Sequence, residues 1–173
     1  MFCKYTLSDY VEKASNGEWL DIILTSTDIT IQREVSRQGY FLEELATSDD
    51  CQVQLNCVKH GSSLQYLAAS EHPSVRQEVA KLGFNLESFV EDEEPLCRIE
   101  AVKQNVGLDR LVNDPCWRVR MFVALQGYAL HTLANDPSEQ VRSAVVRMGY
   151  NTESFLNDES WFVRSMAKRK LSR

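Results

Sequence analysis

The feature that most constrains this chain is a glycine that returns every 22 residues. Gly17, Gly39, Gly61, Gly83, Asn105, Gly127 and Gly149 keep that step without one insertion. The single exception is asparagine, the other residue that tolerates a left-handed backbone. A left-handed residue at a fixed phase marks the end of a helix, so the chain reads as copies of one helical unit. Apolar columns keep the same step. One is Ile31, Val53, Val75, Cys97, Val119, Val141 and Val163. The next is Val35, Cys57, Val79, Ala101, Val123, Val145 and Ala167. Two leucine-rich columns follow, Leu42, Leu64, Leu86, Leu108, Leu130 and Leu45, Leu67, Phe89, Leu111, Leu133, Phe155.

Each unit predicts two short helices. In the clearest copy the first spans Pro137 to Met148, with Asp136 as N-cap and Glu139 three residues on. Gly149 ends it. The second starts near Asn85 or Asn151, read as caps, and lasts about two turns to the next aspartate. Helices this short are unstable alone. They must stack, which makes the expected fold an all-α superhelix, a solenoid of seven helix pairs. The expected organisation is one domain over residues 1–173. Residues 1–30 form a degenerate cap unit that keeps Gly17, Leu20 and Ile23. Regular repeats fill 31–162, and 163–173 form a capping helix.

A Val-Arg pair recurs, giving the column Arg76, Arg98, Arg120, Arg142 and Arg164. At about 100° per residue, this arginine falls between the two apolar columns of its own helix. A buried guanidinium needs a carboxylate or carbonyl oxygens. Asp92, Asp114, Asp136 and Asp158 follow the first four arginines sixteen residues later. Where the column holds Gln32 and Gln54, the same offset holds Ser48 and Ser70. Charge and partner vanish together, which reads as a structural ladder between helices. Pairing at the shorter offset, Asp92 with Arg98, fits nearly as well, and one aspartate could bridge both. A ligand site is the lesser reading, because a site would break the pattern at one place.

The unit VRxxVAxxGxxLxxLxxD, as in Val75-Arg76 to Asp92 or Val141-Arg142 to Asp158, resembles HEAT-like repeats. Its 22-residue length is closer to the leucine-rich repeat variant class. The resemblance covers residues 9–173 and implies a right-handed α–α superhelix of HEAT/ARM type, with a second helix partly 3₁₀. One member of that class holds an iron–sulfur cluster on clustered cysteines, which this chain lacks. HEAT-like relatives include bilin lyases, alkyl-purine DNA glycosylases and protein adaptors, and fold alone does not choose among them.

Outside this framework the chain is sparse in chemistry. Its net charge of −6 argues against a general nucleic-acid binder. Cys3, Cys51, Cys57, Cys97 and Cys116 are irregularly spaced, with no CxxC pair, so no zinc site or disulfide framework is expected. Reduced thiols and the lack of a signal peptide or membrane span fit a cytoplasmic protein. His60, His72 and His131 occupy different columns and none pairs with a Ser, Cys or acid in a catalytic arrangement, and no cofactor or metal is implied.

The remaining candidates are surface features. Arg37, Lys59, Lys81, Lys103, Arg147 and Arg169 form a basic column interrupted by Leu125. It either complements helix dipoles or makes a positive stripe for phosphates or an acidic protein. Arg164, Lys168, Arg169, Lys170 and Arg173 make the C-terminal turn basic, and Glu91 to Glu94 form an acidic loop. Trp117 and Trp161 share a column that holds Pro73, Pro95 and Glu139 elsewhere. They are either interface anchors or staples of a helix start. Trp19 is expected in the core. Leu55, Ile99 and Met121, with Leu125, suggest an exposed apolar patch. The leading expectation is a non-catalytic protein-interaction scaffold that uses Trp117, Met121, Leu125 and Trp161. The alternative is a HEAT-like nucleic-acid binder, an enzyme of DNA glycosylase type or not, that uses Lys59, Lys81 and Lys103.

Overall fold

The computed structural model describes residues 5–172. Cys3 and Arg173 therefore lie outside the described residues. Every described element is helical, and there is no strand among the described residues. Longer helices begin at a constant step of 22 residues: α1 (Leu7–Ser15), α3 (Ile29–Arg37), α5 (Cys51–Lys59), α7 (Pro73–Lys81), α9 (Pro95–Lys103), α11 (Trp117–Leu125), α13 (Glu139–Met148) and α14 (Trp161–Leu171). Between them lie one-turn helices at the same step: α2 (Leu20–Leu24), α4 (Leu42–Leu45), α6 (Leu64–Leu67), α8 (Leu86–Phe89), α10 (Leu108–Leu111), α12 (Leu130–Leu133) and a 3₁₀ turn (Thr152–Asn157).

The chain forms two compact units, Met1–Phe84 and Asn85–Arg173. In the first, α1, α3, α5 and α7 pack in sequence order; in the second, α9, α11, α13 and α14 do the same. The two repeating apolar columns of the long helices are buried in both units. Each short helix inserts one anchor beside them: Ile23, Leu45, Leu67, Phe89, Leu111, Leu133 or Phe155, all buried.

The helix ends depart from the expected capping in three ways. The cap of α13 is Ser138, not Asp136, so the helix starts two residues later than expected. Asp136 instead accepts the N–H of Ser138 at 2.8 Å. Asp92, Asp114 and Asp158 do the same for Glu94, Cys116 and Ser160. The column thus shapes the turn before each helix rather than the helix itself. Asn85 and Asn151 stand at the starts of the short elements in left-handed conformation, without a side-chain cap. The short helices also last one turn, not two, because the aspartate or serine turn bends the chain away immediately afterwards.

The first left-handed column, from Gly17 to Gly149, is joined by a second one two residues later. That column is Trp19, Phe41, Ser63, Asn85, Gly107, Ala129 and Asn151. Between the two, the chain reverses. After α3, for example, the N–H of Tyr40 returns to the carbonyl of Val35 at 3.2 Å, and Ser62 does the same to Cys57 at 3.0 Å after α5. This six-to-one bond closes the orphan carbonyls of each helix end.

Candidate functional site

The arginine column builds a ladder within the second unit. Arg98 donates through Nε and Nη2 to the Asp114 carboxylate at 2.6 and 2.9 Å. Arg120 grips Asp136 at 2.6 and 2.9 Å, and Arg142 grips Asp158 at 2.8 and 2.9 Å. The third nitrogen of each, Nη1, turns to the backbone. It donates to the carbonyl six residues back, at 2.7 Å to Asp92, 2.6 Å to Asp114 and 2.8 Å to Asp136. An aspartate therefore serves two arginines, one through its carboxylate and the other through its peptide carbonyl. The paired carboxylates hold the pKa of all three guanidinium groups above its ordinary value. Burial works against ionisation of Asp158, but hydrogen bonds from Arg142 and the Ser160 N–H hold its carboxyl below the usual range.

In the first unit two rungs are made without charge. Gln32 accepts from Ser48 at 2.9 Å, and Gln54 from Ser70 at 2.5 Å. The Gln54 amide donates to the Ser48 carbonyl, six residues back, at 2.8 Å. Arg76, in the same unit, donates to the Ser70 carbonyl at 2.8 Å. Bidentate salt bridge and neutral amide–hydroxyl pair thus occupy one geometric slot. Every buried side-chain nitrogen and oxygen among the described residues is satisfied, which marks the ladder as architecture.

The surface candidates divide. Trp161 is 72% exposed, Trp117 is 37% exposed and carries the Arg118 guanidinium 5.5 Å over its ring. Phe162 and Leu96, one position along from this column, are exposed as well. They escape sequence reading because Arg118 and Gln140 occupy the same column and hide its apolar members. Met121 and Leu125 do not form an exposed patch: both are half-buried against the core of the second unit, and Ile99 is 3% exposed. A wheel for an isolated helix misplaces them. A helix flanked on both sides exposes only a narrow arc, so positions opposite the core still meet a neighbour.

The basic column is partly neutralised from within. Lys81 pairs with Glu78 at 2.6 Å, Lys103 with the buried Glu100 at 3.0 Å, and Arg37 with Glu34 at 2.7 Å. Lys103 also lies 5.4 Å over the Phe122 ring. These bonds from Arg37 and Gln38 pull the Glu34 carboxyl down to about 2. Lys59 is exposed at the end of α5. Arg147, Arg169 and Lys170 line a cleft of about 340 Å³ floored by Val146 and Met166. Within it Lys170 donates to the Arg147 carbonyl at 2.8 Å.

The histidines are used structurally or left outside. His60 and His72 meet the carbonyls of Arg37 and Asp49 at 3.2 and 2.9 Å, and His131 is exposed. Trp19 is half-buried, edge-on to Tyr5 and Tyr10 at 4.8 and 5.5 Å. Burial pushes the Cys57 thiol up to about 11, so it is inert at neutral pH. Among the described residues no three metal-ligating side chains stand together, and no helix is long and apolar enough to cross a membrane. No protein-family model, curated protein or solved structure matches the chain.

Proposed function

We propose that this chain is a non-catalytic scaffold, a HEAT-like α-solenoid of seven helix pairs acting in a reducing cytoplasm, that holds another protein. The 22-residue step runs from Gly17 to Gly149 without an insertion, which supports reading the repeats as one continuous array. The observation that carries the functional reading is the exposure of Trp161, with Phe162 beside it and Trp117 in the same column. The repeat does not require an indole there, since Pro95 and Glu139 fill the same position. A large aromatic left in water at a position the fold leaves free is the usual anchor of a protein interface. Met121 and Leu125, being packed, are not part of that surface.

The nucleic-acid reading has less support. Arg37, Lys81 and Lys103 already hold carboxylates, so half of the six cations of that column are neutralised from within. The test is affinity capture from native lysate with and without nuclease, followed by mass spectrometry and nucleic-acid staining. A stoichiometric protein that survives nuclease and is lost with Trp161→Ala is the expected result. Nucleic acid in the eluate, removed by Lys59→Glu, Lys81→Glu and Lys103→Glu together, would reverse the ranking.

A further inference from the structure

The cations of the basic column differ in whether their own helix neutralises them. Glu34, Glu78 and Glu100 stand one helical turn before Arg37, Lys81 and Lys103 and hold them at 2.7, 2.6 and 3.0 Å. The same position holds Ala144 before Arg147 and Met166 before Arg169. Among the described residues neither of these two arginines meets a carboxylate. The acid is exchanged for an apolar side chain in two consecutive helices of the second unit.

Those helices, α13 and α14, place both arginines on one cleft of about 340 Å³, with Lys170 between them and Val146 and Met166 below. Lys170 turns back towards α13. Its Cε lies 3.6 Å from where a Cβ on Gly149 would stand, and its ammonium donates to the Arg147 carbonyl at 2.8 Å. One of its three N–H bonds is thereby fixed and the others are left to the cleft. A groove at the equivalent place lies between α3 and α5, lined by Glu34, Arg37, Asn56, Lys59 and His60 among others. There His60 meets the Arg37 carbonyl as Lys170 meets that of Arg147. The groove is therefore a property of two consecutive long helices, and only its lining changes. Glu34 and Asn56 become Ala144 and Met166, and His60 becomes Lys170. The lining of the α13–α14 cleft then carries three cations and no acid.

We infer that this cleft receives a phosphotyrosine side chain of a partner protein. The inference rests on the reading of the chain as a protein-binding scaffold and names the chemistry of one contact. Three cations without an acid match a ligand of more than one negative charge. A phosphate monoester carries about −1.5 to −2 at neutral pH on three acceptor oxygens. Two guanidinium forks and a pre-positioned ammonium can meet all three. A carboxylate, or each phosphodiester of a nucleic acid, brings a single charge. The floor selects the stem. Met166 and Val146 are apolar, and a thioether is a favourable neighbour for an aromatic ring. The ring of phosphotyrosine covers that floor while its phosphate stays among the cations, which the short stem of phosphoserine cannot do. The volume, at the small end of ligand pockets, suits one side chain.

The experiment uses the full chain, ¹⁵N-labelled and ¹³C-labelled at its methionine methyls, titrated with the peptide Gly-Gly-phosphotyrosine-Gly-Gly. The readouts are the Nε–H signals of Arg147 and Arg169 and the methyl signal of Met166. Saturable shifts of all three are expected, with affinity about tenfold or more weaker for the unphosphorylated peptide and about threefold or more weaker for the phosphoserine peptide. Arg147→Gln, at an exposed position, is expected to weaken binding about tenfold. Met166→Glu, which sets before Arg169 the acid found in α7 and α9, is expected to abolish it; Arg147→Gln carries the test if that variant unfolds. Unmoved signals, or equal affinity for the unphosphorylated or the phosphoserine peptide, would each overturn the proposal. So would equal affinity for inorganic phosphate, since the cleft would then sense charge alone. Tighter binding of oligothymidylate would also overturn it, in favour of nucleic acid. If the peptide fails while a nuclease-resistant partner that requires Trp161 is still captured, the scaffold reading stands and only the phosphotyrosine contact falls.

Discussion

Ala129 and Gly107 occupy the same left-handed position of the repeat and have opposite relations to it. Ala129 sits at φ 49°, a conformation that strains any residue with a Cβ. Ala129→Gly should therefore stabilise the chain by about 0.5–1 kcal/mol, after the extra freedom of the unfolded glycine is counted. Gly107 sits at φ 67°, and a Cβ there would meet both Val90 methyls at 2.6 Å. Gly107→Ala should cost about 2 kcal/mol or more, and a Val90→Ala background should recover much of that loss. Urea unfolding midpoints check all three; a Gly107→Ala cost untouched by Val90→Ala would refute the steric account. The glycine column was legible because left-handed geometry selects glycine and asparagine. The second left-handed column was not, because it holds Trp19, Phe41, Ser63 and Ala129, which carry no common chemical mark.

At the scale of elements, the rung is the unit of cohesion between consecutive long helices. Its two chemistries share one geometry, so they should be interchangeable. Arg120→Ala leaves the buried Asp136 without its counter-charge and should cost about 3–5 kcal/mol. The double change Arg120→Gln with Asp136→Ser recreates the pairing of Gln54 with Ser70 and should restore most of that. Thermal melts of the single and double variants decide the point: a double variant no better than Arg120→Ala would mean that the rungs are not equivalent. The offset of sixteen was readable because glutamine and serine replace arginine and aspartate together. The second anchorage, to a backbone carbonyl, was not, since carbonyls leave no trace in residue identity. The helix wheel failed for Met121 and Leu125 for a related reason: it represents one helix and one core, and cannot represent neighbours on both flanks.

Across the whole molecule, hydrogen bonds hold several carboxylates below their ordinary range, with a definite consequence for pH. Asp158, Asp50 and Glu34 all have depressed folded values, opposed in each by burial and won by arginine partners, with Glu34 at about 2. A depressed carboxylate stabilises the fold fully above its unfolded value, about 4 to 4.3. That stabilisation is lost as pH falls through the folded value. The melting temperature should hold level above about pH 5 and fall steadily from about pH 4 towards pH 2. Asp158→Asn should lower it at neutral pH and flatten part of the acid slope. A melting temperature unchanged down to pH 3 would rule this out. Function was the least legible scale. The exposed indoles stood out only as departures from a column.

The constant offset of the rung has a consequence for how such a chain can change in length. Each rung of the second unit joins the arginine of one long helix to the turn that opens the next, always at the same spacing and with the same anchorage to the carbonyl six residues back. Cutting out or duplicating one 22-residue segment breaks a rung on one side and recreates it on the other. The joint is therefore self-healing, and repeat number becomes a free variable of the design.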